Sequence, residues 1–138
     1  MYGTSAVQAD INGLIDPDWS CLVDGVAIEK SDPSVAPENN WIMCSGDTVS
    51  EGFHTVTVNA IVRNQKTFWF DRIQYVPLPG VDLSNATVLV DAYDPAVSLG
   101  SGWQTLDGIG YMTQQNGAKL TLDFIGMSSP FFHFNEIG

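Results

Sequence analysis

The chain has 138 residues carrying 16 acidic and 5 basic side chains, a formal net charge of −11. Its length is a prior for one domain, and 44% hydrophobic content with 11% aromatics is enough to fill a core. An acidic surface repels nucleic-acid phosphates and anionic lipid, which sets both aside as partners, and no run of about 18 apolar residues is present to insert into a membrane.

Neither end of this sequence reads as a targeting signal. The opening MYGTSAVQADING has no basic or apolar stretch of the kind a signal peptide needs, and the closing FFHFNEIG is not an anchor signal. The segments between read as all-β: short period-2 runs of Val, Ile, Thr and aromatics, bounded by Gly, Pro, Asn and Asp.

Trp19 to Val23 and Val26 to Ile28 flank Asp24-Gly25, a two-residue hairpin signal. Residues 30–40, KSDPSVAPENN, read as a polar loop, and Trp41 to Cys44 as the next strand. Cys21 and Cys44 thus sit in strands, each near a tryptophan. Two buried thiols are the plain reading. A disulfide is the sharper one, favoured because the chain otherwise looks extracellular, and it would add about 3 kcal/mol by loop closure.

The clearest strand is His54 to Arg63, after a turn at Glu51-Gly52. Val56, Val58, Ala60 and Val62 share the face assigned to the core; Thr55, Thr57, Asn59 and Arg63 take the other, with Ile61 the exception. Arg63-Asn64-Gln65-Lys66 makes a polar turn, so Thr67 to Val76 is expected as the antiparallel hairpin partner. That second strand does not alternate cleanly. Phe68 and Phe70 point one way with Arg72 and Gln74, and Trp69, Ile73 and Tyr75 the other way with Asp71, so either both faces are covered or a bulge between Phe70 and Ile73 flips the register. Pro77 and Pro79 end it.

VPLPGVDLSN, residues 76–85, reads as a linker, and Asn85-Ala86-Thr87 is a glycosylation sequon. Beyond it Thr87 to Ala92, Gly110 to Gln115 and Lys119 to Ile125 read as strands, the last two joined as a hairpin by Gln115-Asn116-Gly117. Leu120, Leu122 and Phe124 form an apolar face, with Thr121 and Asp123 outward.

No catalytic constellation emerges. His54 and His133 are the only histidines and no Gly-x-Ser-x-Gly elbow is present, so the chain is read as not an enzyme. Asp16, Asp18, Asp24, Asp71, Asp91 and Asp94 offer carboxylates for glycoside cleavage, but an acidic chain brings such pairs together by chance. Zinc spacing is absent, and no cofactor is implied; a structural calcium beside Asp91 and Asp94 is the one ion left open. A sugar's C–H face stacks on an exposed aromatic ring while Asp and Arg bind its hydroxyls. Trp19 and Trp41 flank the cysteines and Trp103 follows a Gly-Ser-Gly turn, positions that favour core packing. Trp69 is left outward if Phe68 and Phe70 take the core, which makes Trp69, Asp71 and Arg72 the candidate ligand set.

Taken together, WSCLVDG, NNWIMCSG, EGFHTVTVNA and TFWFDRIQYVPLP resemble the membrane-distal modules of basidiomycete cell-surface proteins, and VLVDAYDPAVSLGSGW with GAKLTLDFIG resembles the opening half of the same module. The resemblance implies a jelly-roll, galactose-binding-like β-sandwich that is secreted, glycosylated and able to bind carbohydrate or a cell-wall polymer, with neighbouring modules of the same chain as further contacts. It also implies that His54 is structural. The order departs from the family's, since the second half of a module precedes the first half of another. The expectation is a fragment straddling two tandem modules, folded in circularly permuted order: one sandwich from a C-terminal-type half at 1–78, a linker at 79–87 and an N-terminal-type half at 88–138. Glycan binding is the role this implies; a structural spacer without ligand is the alternative, and a glycoside-active enzyme ranks last.

Overall fold

The computed structural model describes residues 2–5, 8–9, 12–34, 38–46, 49–77, 87–106 and 110–127, and among them the regular structure is entirely β. The strands are β1 (Tyr2–Ser5), β2 (Gln8–Ala9), β3 (Ile15–Asp16), β4 (Asp18–Val23), β5 (Val26–Ala27), β6 (Glu29–Lys30), β7 (Glu38–Ile42) and β8 (Cys44–Ser45). They continue with β9 (Gly52–Ile61), β10 (Phe68–Phe70), β11 (Arg72–Pro77), β12 (Val88–Asp91), β13 (Val97–Leu99), β14 (Trp103–Leu106), β15 (Gly110–Thr113) and β16 (Lys119–Met127). All their pairings are antiparallel, and together they form a β-sandwich.

The first layer runs β5-β4-β9-β16, with β13 on the far edge of β16. The alternation read from the sequence sets its inner face. Val56, Val58, Ala60 and Val62 from β9 and its exit are buried with Leu120, Leu122 and Phe124 from β16, while Asp123 is exposed. Asp24 and Gly25 take positive φ of 51° and 78°, the left-handed pair that closes a tight hairpin between β4 and β5. The second layer holds the three-stranded sheet β10-β15-β14 and the strands around β11. β11 pairs with β12 from Arg72 to Tyr75 and with β16 at Val76 and Pro77, so it joins the two layers. Between them Phe68 contacts Trp19 at 6.5 Å and Trp103 edge-on at 6.1 Å. Phe68 and Phe70 are wholly buried, each contributing about 2–3 kcal/mol by the area removed from water.

Two expected hairpins are corrected. β9 pairs on one edge with β4 and on the other with β16, not with the strand after the 63–66 turn. The chain crosses there to the other layer, held by Asp16, whose two carboxylate oxygens accept the Arg63 and Asn64 N–H groups at 3.0 and 2.7 Å. Likewise β15 pairs with β10 and β14, whereas β16 pairs with β9 and β13. The turn at Asn116 and Gly117 does not close a hairpin but docks on the end of β9: Val62 N–H donates to Asn116 Oδ1 at 3.1 Å and Gly117 N–H to the Ala60 carbonyl at 2.9 Å. Residues 30–40 are not wholly loop either, since β6 and β7 claim both ends of the segment. Of the two alternatives for that strand, the flip between Phe70 and Ile73 is the one present: the ladder breaks at Asp71, and both Phe70 and Ile73 face inward.

Cys21 and Cys44 form a disulfide, both buried, across a separation of 23 residues. Asn85, residues 79–86 of the expected linker and His133 lie outside the described residues; Thr87 is exposed.

Candidate functional site

Registered partners in an antiparallel ladder share a face, so the three-stranded sheet has a readable outer surface. Phe68 pairs with Thr113 and Phe70 with Tyr111, which puts those four inward. Trp69 pairs with Met112, and Met112 with Gln104, so these three form a row on the outer face. Trp69 and Met112 are half-buried and Gln104 is exposed. One pleat along, Gln114 donates its amide N–H to Thr67 Oγ1 at 3.0 Å. One pleat the other way stands Gly110, whose missing side chain matters: a Cβ there would lie 2.7 Å from the Phe70 carbonyl and 3.8 Å from Asp71 Oδ1. Only glycine lets β15 approach β10 this closely, and the Asp71 carboxylate borders the spot.

The resulting strip presents an indole, a thioether, two carboxamides, a hydroxyl and a carboxylate. Arg72 follows at the start of β11, opposite Asp91 on β12. Trp69, Asp71 and Arg72, the candidate set read from the sequence, are each partly buried. The sequence reading missed Met112, Gln104, Gln114 and Thr67 as their neighbours. A signal for two of them existed, since Met112 and Gln114 alternate with Tyr111 and Thr113.

The other tryptophans have structural partners. Trp19 is 1% exposed, donates its indole N–H to the Met43 carbonyl at 2.8 Å and lies 5.0 Å beneath the Lys30 ammonium, which Asp18 also holds. Trp103 donates to the Lys119 carbonyl at 2.9 Å and packs on Phe68. Trp41 departs from its expected core position: it is half-exposed and donates to the Asp32 carbonyl at 3.0 Å.

His54 and Asp24 come together from 30 residues apart, Nδ1 to Oδ2 at 2.7 Å. Such a dyad resembles the base and orienting acid of a hydrolase, but Nε2 lies 2.7 Å from the Ser50 backbone carbonyl, where a nucleophile's hydroxyl would have to be. Both neighbours are acceptors. The ring satisfies both only as an imidazolium that donates from each nitrogen. The bond to Asp24 raises the His54 pKa above its ordinary value, and the same bond lowers that of Asp24.

Asp91 and Asp94 shape a turn, accepting the Tyr93 and Ala96 N–H groups at 2.9 and 2.8 Å. Calcium wants about six to eight oxygens. Among the described residues no group of three or more His, Cys, Asp or Glu side chains is placed to hold a metal ion. Nor do the described residues include a helix long and apolar enough to cross a membrane. Comparison of the chain with protein-family models, with curated proteins and with solved structures finds no match.

Proposed function

We propose that the chain is a non-catalytic β-sandwich module acting outside the cell, which binds a glycan on the outer face of β10, β14 and β15. One observation carries this reading: Phe68 and Phe70 are wholly buried while Trp69, between them, lies outward in a row with Met112 and Gln104. A flat indole flanked by amides, a hydroxyl and a carboxylate is the chemistry that a sugar ring's C–H face and hydroxyls require. The buried disulfide is compatible with an oxidising compartment. The resemblance to basidiomycete cell-surface modules supports a galactose-binding-like jelly roll and a cell-wall polymer as ligand.

A glycan array, followed by titration calorimetry against fungal wall polysaccharides, tests the proposal. Binding is expected, with Trp69→Ala weakening it roughly tenfold, since an aromatic contact contributes about 0.5–1.5 kcal/mol beyond the area it buries. Silence across the array would favour a spacer without ligand, and turnover of a chromogenic glycoside would overturn the non-catalytic reading.

A further inference from the structure

We propose that His54 is a proton-dependent latch that fastens the Ser50–Glu51 turn to the sandwich and releases it as the pH rises. The geometry sets two acceptors 2.7 Å from the two ring nitrogens, Asp24 Oδ2 on one side and the Ser50 carbonyl on the other. A neutral imidazole has one N–H. The carboxylate, being charged, keeps it, and the bare Nε2 lone pair then faces the Ser50 carbonyl oxygen. A hydrogen bond becomes a repulsive contact at the same distance.

The two acceptors differ in what else holds them. Asp24 is anchored without His54: its Oδ1 accepts the Thr55 N–H at 2.9 Å, and its own N–H donates to the Thr55 carbonyl at 2.9 Å. Ser50 precedes β9 and lies where the chain turns into it. Deprotonation therefore moves the Ser50 side, not the Asp24 turn. Among the described residues, the charged groups near the ring are acids. Asp24 faces it from the β4–β5 turn, Phe124 lies 5.5 Å away on β16, Glu51 adjoins Ser50 and is exposed, and Asp123 is engaged outward by Thr55 Oγ1 at 2.5 Å. Every charged group among these is an acid and favours the imidazolium. In keeping with that, the His54 pKa lies above 6.5, so the release belongs to neutral and alkaline pH.

The test follows the His54 ring nitrogens by NMR alongside amide protection factors for Glu51 and Gly52, corrected for intrinsic exchange, from acid to alkaline pH. Protection is expected to fall roughly fivefold to tenfold, the equivalent of one hydrogen bond, with the same midpoint as the ring, while Thr55 stays protected. Asp24→Asn should move both midpoints to lower pH together, and His54→Gln should abolish the pH dependence. Protection at Glu51 and Gly52 that is flat across the ring's titration, or a midpoint that Asp24→Asn leaves in place, would overturn the proposal; the wild-type titration decides it even where a variant fails to fold.

Discussion

The Trp19 indole donates to the Met43 backbone carbonyl at 2.8 Å, one residue before Cys44, while Cys21 lies two residues after Trp19 on the same inward row. The tryptophan and the disulfide therefore tie the same two segments at adjacent points. Trp19→Phe removes the hydrogen bond and part of the ring volume, though Ser31 N–H still donates to the Met43 carbonyl at 3.0 Å. The expected loss is about 1–3 kcal/mol, read as a lower denaturation midpoint with an unchanged m-value. An unchanged midpoint would mean that the indole N–H contributes nothing net.

The disulfide supplies a separate term. A closed loop spanning 23 residues corresponds to about 3 kcal/mol of denatured-state entropy. The double variant Cys21→Ala with Cys44→Ala should be less stable than the parent by about that much. Addition of a reductant should shift the parent's unfolding midpoint and leave the variant's where it is. Equal stability with and without reductant for both proteins would count against the bond.

These contacts show which parts of the fold the sequence makes legible. Strict alternation over GFHTVTVNAI names the core row of β9 correctly, because a half-buried strand writes its two faces into a period of two. Asp24-Gly25 is equally readable, since few residue pairs tolerate positive φ in succession. Pairing is not readable in that way. The turns at 63–66 and 115–117 have the chemistry of chain reversals, but a reversal says nothing about which sheet edge the next strand joins. In both cases the chain crosses between layers, and the true neighbours of β9 come from far along the chain. β13 and β14 escaped notice because VSL and WQTL are too short, and too unevenly buried, to show a period. On the outer face of the three-stranded sheet, the outward turn of Trp69 is legible from its two buried phenylalanine neighbours. Its partners on β14 and β15 were not, since they depend on that unread pairing. The His54–Asp24 contact spans 30 residues and leaves no local trace.

Stability should depend on pH with a sign fixed by this pair. His54 has a raised pKa, so its contribution is full below about 6.5 and is lost as the pH rises through the raised value. Asp24 has a lowered pKa, so its contribution is present above about 3.8 and is lost as the pH falls through the lowered value. The melting temperature is expected to hold between these limits and decline at both ends. In Asp24→Asn the alkaline decline should begin at lower pH, because the bond that chiefly raises the His54 pKa loses its charged acceptor. Identical profiles for the two proteins would show that the pair is not coupled.

Asp16 holds the crossing from β9 to the second layer, and it is buried with both oxygens accepting backbone N–H groups. Asp16→Ala removes both acceptors, but Arg63 and Asn64 are exposed and water can replace part of what is lost. The expected cost is about 1–2 kcal/mol. The backbone amides of Arg63 and Asn64 should show the largest gain in hydrogen exchange. Uniform loss of protection across the core, with no excess at these two amides, would contradict the local role.

Two glycines make a paired test of packing at the seam between layers. Gly126 on β16 sits where β11 joins that strand, paired with Gly52 on one side and Pro77 on the other. A Cβ there would meet the Val76 carbonyl at 2.7 Å, Tyr75 Cδ2 at 3.0 Å and Phe124 Cδ2 at 3.2 Å. The first of these is backbone in a ladder and cannot swing aside, so the strands must separate. Gly126→Ala should therefore cost about 1–3 kcal/mol. At Gly46 the added carbon would approach only the Ile28 side chain, at 3.7 Å or more, which is ordinary contact. Gly46→Ala should be neutral, or more stable by about 0.4–1 kcal/mol through the reduced freedom of the unfolded chain. Chemical denaturation of both variants compares the sites directly. If Gly126→Ala were tolerated as well as Gly46→Ala, β11 and β16 could not be packed as closely as the 2.7 Å approach requires.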